Sequence, residues 1–176
     1  SVYKSAVANP PSIGYNKPIA KIHVQKEYIM WYAILGAVLL AGDQILKYWV
    51  VTHLAVGESA PFLPGFMQLT RLHNYGAAWS SLSGRTVLLV VFTAVLLAAV
   101  ALLLIKKVVR HWTGITACTL ILSGGIGNII DRIVHGYVVD MFDLQLFSYP
   151  VFNLADCCVV VGAILGGIYY LFLYEK

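Results

Sequence analysis

The stretch that decides the fold of this chain is TVLLVVFTAVLLAAVALLLI, residues Thr86–Ile105. It contains no charged residue, no glycine and no proline. A helix that crosses a membrane needs about 20 consecutive, mostly apolar residues. The stretch therefore predicts a transmembrane helix.

Further apolar runs with a few interruptions lie on both sides of this stretch, at Tyr28–Val51, Trp112–Ile130 and Phe152–Tyr174. Of all residues, 60% are hydrophobic and only 11% are charged, whereas a soluble domain has about 25% charged residues. We therefore predict an all-α membrane protein with four transmembrane helices.

The basic residues are divided unevenly between the two sides of such a protein. One side would hold the lysines of residues 1–27 together with Lys106, Lys107, Arg110 and Lys176. The other side would hold Arg71, Arg85 and Arg132. Cytoplasmic segments carry the excess of Lys and Arg, which predicts that both termini are cytoplasmic. The net charge of +4 then reflects topology, and we expect no nucleic-acid partner.

The remaining segments suggest how the chain is organised. Residues 1–27 mix Pro, Ser, Asn and Lys, and we interpret them as an N-terminal cytoplasmic extension or a remnant of an expression vector. A cleaved signal peptide is not expected, because Tyr28–Val51 is too long for one. Residues 28–176 form one membrane domain. Within its first external segment, Phe66–Leu72 alternates apolar and polar residues, which predicts a small β-structured element at about residues 53–80.

Every aspartate falls on the external half of this topology: Asp43, Asp131, Asp140, Asp143 and Asp156. Ionisable residues at membrane depth are costly and usually mark a functional site. Polar companions follow them at helical spacing, namely Lys47 after Asp43, Asn128 before Asp131 and Asn153 before Asp156. We predict one polar cluster beneath the outer membrane surface.

Each acid also has an interpretation without catalysis. Asn153 suits the N-cap of a helix, with Asp156 in its first turn. Asp143 would be a solvated loop acid. Asp43 and Lys47 would neutralise each other only to permit insertion into the membrane. Asp131 and Arg132 would form an ion pair at the membrane interface. None of these interpretations explains why all the groups converge on one side.

Two carboxyl groups held close together share one proton. The ionised group can then activate water, while the protonated group polarises a peptide carbonyl, as in aspartyl proteases. We expect neither a metal ion nor a cofactor, because the histidines are scattered and no His-Glu-x-x-His pattern occurs. A Ser–Lys dyad of Ser123 and Lys47 stays open, and the residues alone do not favour Asp140 over Asp131.

An ordered series of motifs resembles the lipoprotein signal peptidase family (signal peptidase II). The series is Ala41-Gly42-Asp43-Gln44-Ile45-Leu46-Lys47, Asn74-Tyr75-Gly76-Ala77-Ala78-Trp79, Gly124-Gly125-Ile126-Gly127-Asn128-Ile129-Ile130-Asp131-Arg132, Gly136-Tyr137-Val138-Val139-Asp140-Met141 and Phe152-Asn153-Leu154-Ala155-Asp156. Any one motif is weak, whereas five in order are specific. Met141 departs from the family, in which Phe is common there.

The resemblance implies four transmembrane helices with an extracytoplasmic β-cradle and a short amphipathic helix. It implies that Asp140 and Asp156 form the catalytic dyad. It assigns supporting or substrate-binding positions to Asp43, Lys47, Asn74, Gly76, Asn128, Asp131, Arg132, Asn153 and Ala155. Trp79 would anchor the membrane interface.

The implied activity is removal of signal peptides from prolipoproteins whose cysteine carries diacylglycerol. The site would face outward in the bacterial cytoplasmic (inner) membrane, in contact with membrane lipids, and cyclic lipopeptides related to globomycin would inhibit it. Two alternatives are a small proton- or ion-coupled transporter and a non-enzymatic protein whose polar groups join helices. A proton relay is disfavoured because no aspartate lies on the cytoplasmic half.

Overall fold

The computed structural model describes residues 17–76 and 84–174, and side chains from residue 29 onward. Its elements are α1 (Lys17–His53), β1 (Ser59–Leu63), β2 (Met67–Asn74), α2 (Thr86–Ile105), α3 (Trp112–His135), β3 (Val138–Leu144) and α4 (Leu154–Phe172). The chain divides into two units between Trp31 and Tyr32. In the first unit the described residues are the beginning of α1, and every contact reported below lies in the second unit.

Four of the described helices are long and apolar enough to cross a membrane: Ile29–His53 of α1, and the whole of α2, α3 and α4. The bounds of α2 are those predicted. α3 extends beyond the apolar run Trp112–Ile130 to His135, and Gly136 follows it with a φ of 82°, the left-handed conformation of a helix C-cap. α4 is shorter at both ends than the predicted run.

The segments between α1 and α2 and between α3 and α4 form a three-stranded antiparallel sheet in the order β1-β2-β3. The predicted strand at Phe66–Leu72 corresponds to β2. β3 was not predicted, because Val138–Met141 is buried throughout and shows no alternation. The sheet packs on the end of α1 through a buried core of Val50, Leu54, Val139 and Met141.

Helices α3 and α4 approach each other closely because small residues line their contact. A Cβ added to Gly124 would collide with the carbonyl oxygen of Ala155, and one added to Gly162 would lie 2.9 Å from that of Ala117. Small residues at such contacts are typical of packed membrane helices. The close approach places the first turn of α4 beside the C-terminal half of α3.

Part of the predicted fold falls outside the described residues. These exclude residues 77–83, and with them Ala77, Ala78 and Trp79. The short amphipathic helix is not among the elements of residues 17–76 and 84–174.

Candidate active site

Asp140 and Asp156 lie on different elements and are joined by Asn153. Asp140 is buried within β3, whereas Asp156 is half-buried in the first turn of α4. The side-chain Nδ2 of Asn153 donates to Asp140 Oδ1 at 2.7 Å. Its Oδ1 accepts from the Asp156 backbone N–H at 2.9 Å, and its own backbone N–H donates to Asp156 Oδ2 at 3.2 Å. This capping box starts α4, so the predicted N-cap is present and also links the two acids.

Each acid accepts one further hydrogen bond from an asparagine. Asn74 Nδ2 donates to Asp140 Oδ2 at 2.9 Å, and Asn128 Nδ2 donates to Asp156 Oδ1 at 2.8 Å. The Oδ1 atom of Asn128 in turn accepts from Asn153 Nδ2 at 3.2 Å. Both carboxyl groups are therefore held by neutral N–H donors from three elements, which fixes their orientation.

Beneath these acids, Lys47 joins two buried carboxylates. Its Nζ lies 2.9 Å from Asp43 Oδ2 and 2.9 Å from Asp131 Oδ2, and it donates to Asn128 Oδ1 at 3.0 Å. An ammonium has three N–H donors, and these contacts use all of them. The predicted Asp43–Lys47 pair is therefore present, with Asp131 as a third member.

The two lower carboxylates also bind backbone next to the upper acids. Asp43 Oδ1 accepts from the Ala155 N–H at 2.9 Å, and Asp131 Oδ2 accepts from the Val139 N–H at 3.1 Å. Ala155 directly precedes Asp156, and Val139 directly precedes Asp140. We call Lys47, Asp43 and Asp131 the Lys47 layer. Its two carboxylates fix the backbone next to Asp140 and Asp156.

Arg132 and Gly76 belong to the same network. The Nη2 atom of Arg132 donates to the Gly76 carbonyl at 2.8 Å, and the Gly76 N–H donates to Asn74 Oδ1 at 2.9 Å. Arg132 thereby holds the segment that follows β2. The predicted Asp131–Arg132 ion pair is wrong, because Asp131 pairs with Lys47.

Two other expectations are corrected. Asp143 is not a solvated loop acid, because it is half-buried in β3 and accepts from Gln68 Nε2 at 2.7 Å and from Thr70 Oγ1 at 3.0 Å. The Ser–Lys dyad has no geometric support, since Ser123 Oγ donates to the Leu120 carbonyl at 3.0 Å and the ammonium is bound elsewhere.

Sequence reasoning missed Gln44. Its Nε2 lies 3.2 Å from Asp43 Oδ2, 3.2 Å from Asp131 Oδ1 and 3.4 Å from the Gly127 carbonyl. The signal was present, because Gln44 lies between Asp43 and Lys47 in the first quoted motif. Gln44 was not identified because it is uncharged, whereas the neighbouring Asp43 and Lys47 are charged.

Burial raises the pKa of Asp140 to about 7, and the negative charge of Asp156 contributes in the same direction. Hydrogen bonds from Asn74 and Asn153 and the charge of Lys47 act against this rise in pKa. A carboxyl that titrates near neutral pH suits general acid–base catalysis. The described residues contain no group of three or more His, Cys, Asp or Glu arranged to hold a metal ion.

Comparison with known proteins agrees with this architecture. A family model described as "Signal peptidase (SPase) II" matches residues 35–172. A lipoprotein signal peptidase of Enterococcus faecalis is 41% identical over 145 residues, covering 82% of this chain and 89% of the relative. One of Streptococcus pyogenes is 43% identical over 134 residues, covering 75% and 88%.

Two solved structures, each described as a bacterial membrane enzyme, have the same fold. The first has a TM-score of 0.79 at 31% identity and covers 85% of this chain and 92% of its own. The second has a TM-score of 0.76 at 33% identity and covers 83% and 96%. This chain is a multi-pass membrane protein and belongs to the signal peptidase II family.

Proposed function

We propose that this chain is an aspartyl endopeptidase that removes signal peptides from prolipoproteins carrying a diacylglyceryl cysteine. The relatives named lipoprotein signal peptidase support the substrate class. The observation that carries the mechanism is the pair Asp140 and Asp156, joined through Asn153. The pKa of Asp140, raised to about 7 by burial and by Asp156, supports a shared proton.

The pair acts as one acid and one base. The ionised carboxylate takes a proton from a water molecule, and the resulting hydroxide attacks the scissile carbonyl carbon. The protonated carboxyl donates a hydrogen bond to the carbonyl oxygen, where negative charge develops. When the tetrahedral intermediate collapses, the C–N bond breaks and a proton passes to the leaving amine. The pair then holds one proton again.

The other polar residues position this pair. Asn74, Asn128 and Asn153 fix the four carboxyl oxygens through neutral N–H groups, which leaves the shared proton on the pair. The Lys47 layer lies below them. It holds one positive charge between two negative charges, so its electrostatic effect on the acids is smaller than that of an unpaired ion.

Gly76 and Ala155 have small side chains at positions where the substrate backbone and a neighbouring helix would come close. Gly76 is buried between Arg132 and Asn74, and its missing side chain would let a substrate backbone pass close to Asp140. Ala155 is fully buried and its Cβ faces Gly127 of α3, so a larger side chain there would displace the first turn of α4 and Asp156 with it. Residues 28–176 would be the peptidase domain, and residues 1–27 a separate extension.

The site lies where α3 ends and α4 begins, beside strand β3, and we place it at the membrane surface. A bond next to a lipid anchor has to be cut at such a boundary. The excess of basic residues in the segments opposite this end supports an outward-facing site with both termini in the cytoplasm of a bacterium. Cyclic lipopeptides would compete by placing their peptide at the acids and their acyl chain in the lipid.

The test is cleavage of a diacylglyceryl-modified prolipoprotein by the purified chain in lipid nanodiscs. Asp140→Asn and Asp156→Asn should each abolish cleavage while the protein stays folded. Asp143→Asn, in the same strand as Asp140 but bonded to Gln68 and Thr70, is the matched control and should cleave normally. Cleavage at the native rate by either of the first two variants would refute the dyad.

A further inference from the structure

Two loops outside the membrane-spanning helices expose large apolar side chains. The first comprises the end of β1 and the β1–β2 turn that follows it, where Phe62, Leu63 and Phe66 are exposed. The second connects β3 to α4, where Leu146 is 61% exposed, Phe147 59% and Tyr149 46%. Neither loop belongs to the site described above.

The two loops form one surface. The Gln145 N–H donates to the Phe66 carbonyl at 2.9 Å, which places the second loop directly beside the turn. The rings of Phe62 and Phe142 lie 6.5 Å apart, and those of Phe142 and Phe152 lie 5.6 Å apart. We call the exposed side chains of these loops the tip patch, defined as Phe62, Leu63, Phe66, Leu146, Phe147 and Tyr149.

The tip patch is continuous with the start of α4. Phe142 and Phe152 form a β-bridge, and the ring of Tyr149 lies 5.8 Å from that of Phe152, edge to face. The first residue of α4 is Leu154. The aromatic rings therefore connect the sheet to the start of α4, a helix that exposes apolar side chains such as Val160, Val161 and Ile164.

Charge is missing from both loops. No charged residue occurs between Glu58 and Arg71 or between Asp143 and Asp156. Exposed loops of a water-facing domain are polar, and a contiguous exposed apolar patch marks a membrane or protein contact. Aromatic rings are enriched where a protein meets the lipid headgroups, because their apolar body and polar tip suit that layer.

We propose that the tip patch inserts into the outer leaflet, so that the sheet is anchored to lipid at the end remote from α1. Continuity with the lipid-facing surface of α4 and the absence of charge favour lipid over a protein partner. The insertion would fix the height of β3, and with it Asp140, relative to the membrane surface.

Site-directed spin labelling in proteoliposomes tests this. Phe66→Cys and Phe147→Cys would be labelled in a background with the native cysteines replaced by alanine. Glu58→Cys is the control, an exposed position at the opposite end of β1. Collisions with oxygen, which partitions into lipid, should dominate at 66 and 147. Collisions with a water-soluble nickel chelate should dominate at 58.

Two results would overturn the proposal. In the first, positions 66 and 147 are as accessible to the nickel chelate as position 58. In the second, they are shielded from both reagents, which would mean that protein covers the patch. If the cysteine-free background does not fold, Phe147→Trp and Glu58→Trp in the native background give the same comparison. Quenching by brominated acyl chains should then increase only for the variant at 147.

Discussion

Asp140→Asn should change the pH dependence of stability in a defined direction. Because burial and Asp156 raise the pKa of Asp140 from 3.8 to about 7, the folded chain binds this proton more tightly than the unfolded chain does. The stabilisation is fully present below the unfolded pKa and is lost as the pH rises through the folded value. Each pKa unit corresponds to about 1.4 kcal/mol, so the free energy of unfolding of the native protein falls by about 4 kcal/mol over this pH range.

The variant carries no titrating group at this position and should not lose this free energy. The substitution also destabilises the fold, because Asn74 and Asn153 donate to different oxygens of Asp140, and asparagine replaces one of these oxygens with an NH2 group that cannot accept. One buried donor left unpaired costs about 1–3 kcal/mol. The variant should therefore be less stable than the native chain below about pH 4 and more stable by about 1–3 kcal/mol above about pH 8.

The assay is unfolding by sodium dodecyl sulfate in mixed micelles, followed by circular dichroism across this pH range. The informative quantity is the difference in the free energy of unfolding between the variant and the native protein at each pH, because the other titrating groups contribute equally to both. Asp143→Asn, measured in parallel, controls for replacing a carboxyl in the same strand. If the Asp140→Asn curve runs parallel to the native curve at every pH, the pKa of Asp140 is not raised and the shared-proton mechanism loses its basis.

Three further substitutions probe the surroundings of the pair, and a fourth, Gly167→Ala, is a control. Lys47→Met leaves two buried carboxylates without their cation and should lower the unfolding free energy by about 3–5 kcal/mol; a change below about 1 kcal/mol would show that the layer is hydrated. Asn74→Ala removes a hydrogen bond that lowers the pKa of Asp140, so the alkaline limb of the cleavage profile should move to higher pH, and a shift to lower pH would contradict this. Gly127→Ala places a Cβ 2.7 Å from a carboxylate oxygen of the layer and should cost about 1–3 kcal/mol by overpacking. Gly167→Ala meets nothing within 4 Å and should be neutral or stabilising in the same unfolding assay.

The helices were predictable because apolar length alone specifies a membrane span. α2 has the predicted bounds, since nothing interrupts its composition. α3 runs past the apolar stretch Trp112–Ile130 because the charged residues Asp131 and Arg132 end that stretch in sequence. In the structure Asp131 pairs with Lys47, and Arg132 donates to the Gly76 carbonyl. β3 was missed because its burial on both faces removes the alternation that marks a strand.

Within the site, spacing along a helix grouped Asp43 with Lys47 and Asn153 with Asp156, and the structure has both contacts. Contacts between distant segments were beyond such reasoning. Asp143 was misassigned because its partner Gln68 is 75 positions away. The choice of Asp140 over Asp131 came from the family resemblance. The structure distinguishes them physically, because Asp131 contacts an ammonium and Asp140 accepts only from amides.

Asn153 both caps the start of α4 and sets the distance between Asp140 and Asp156. This double role restricts which substitutions, insertions and deletions the sequence can accept here. A one-residue shift in where α4 starts would carry Asp156 about 100° around the helix axis and out of register with β3. Serine at 153 would preserve the helix start but lose the amide that reaches Asp140. Aspartate would preserve it as well, but would bring in a third negative charge. Insertions and deletions should therefore be tolerated in the 145–151 loop rather than between Phe152 and Asp156, where helix initiation and proton sharing depend on the same side chain.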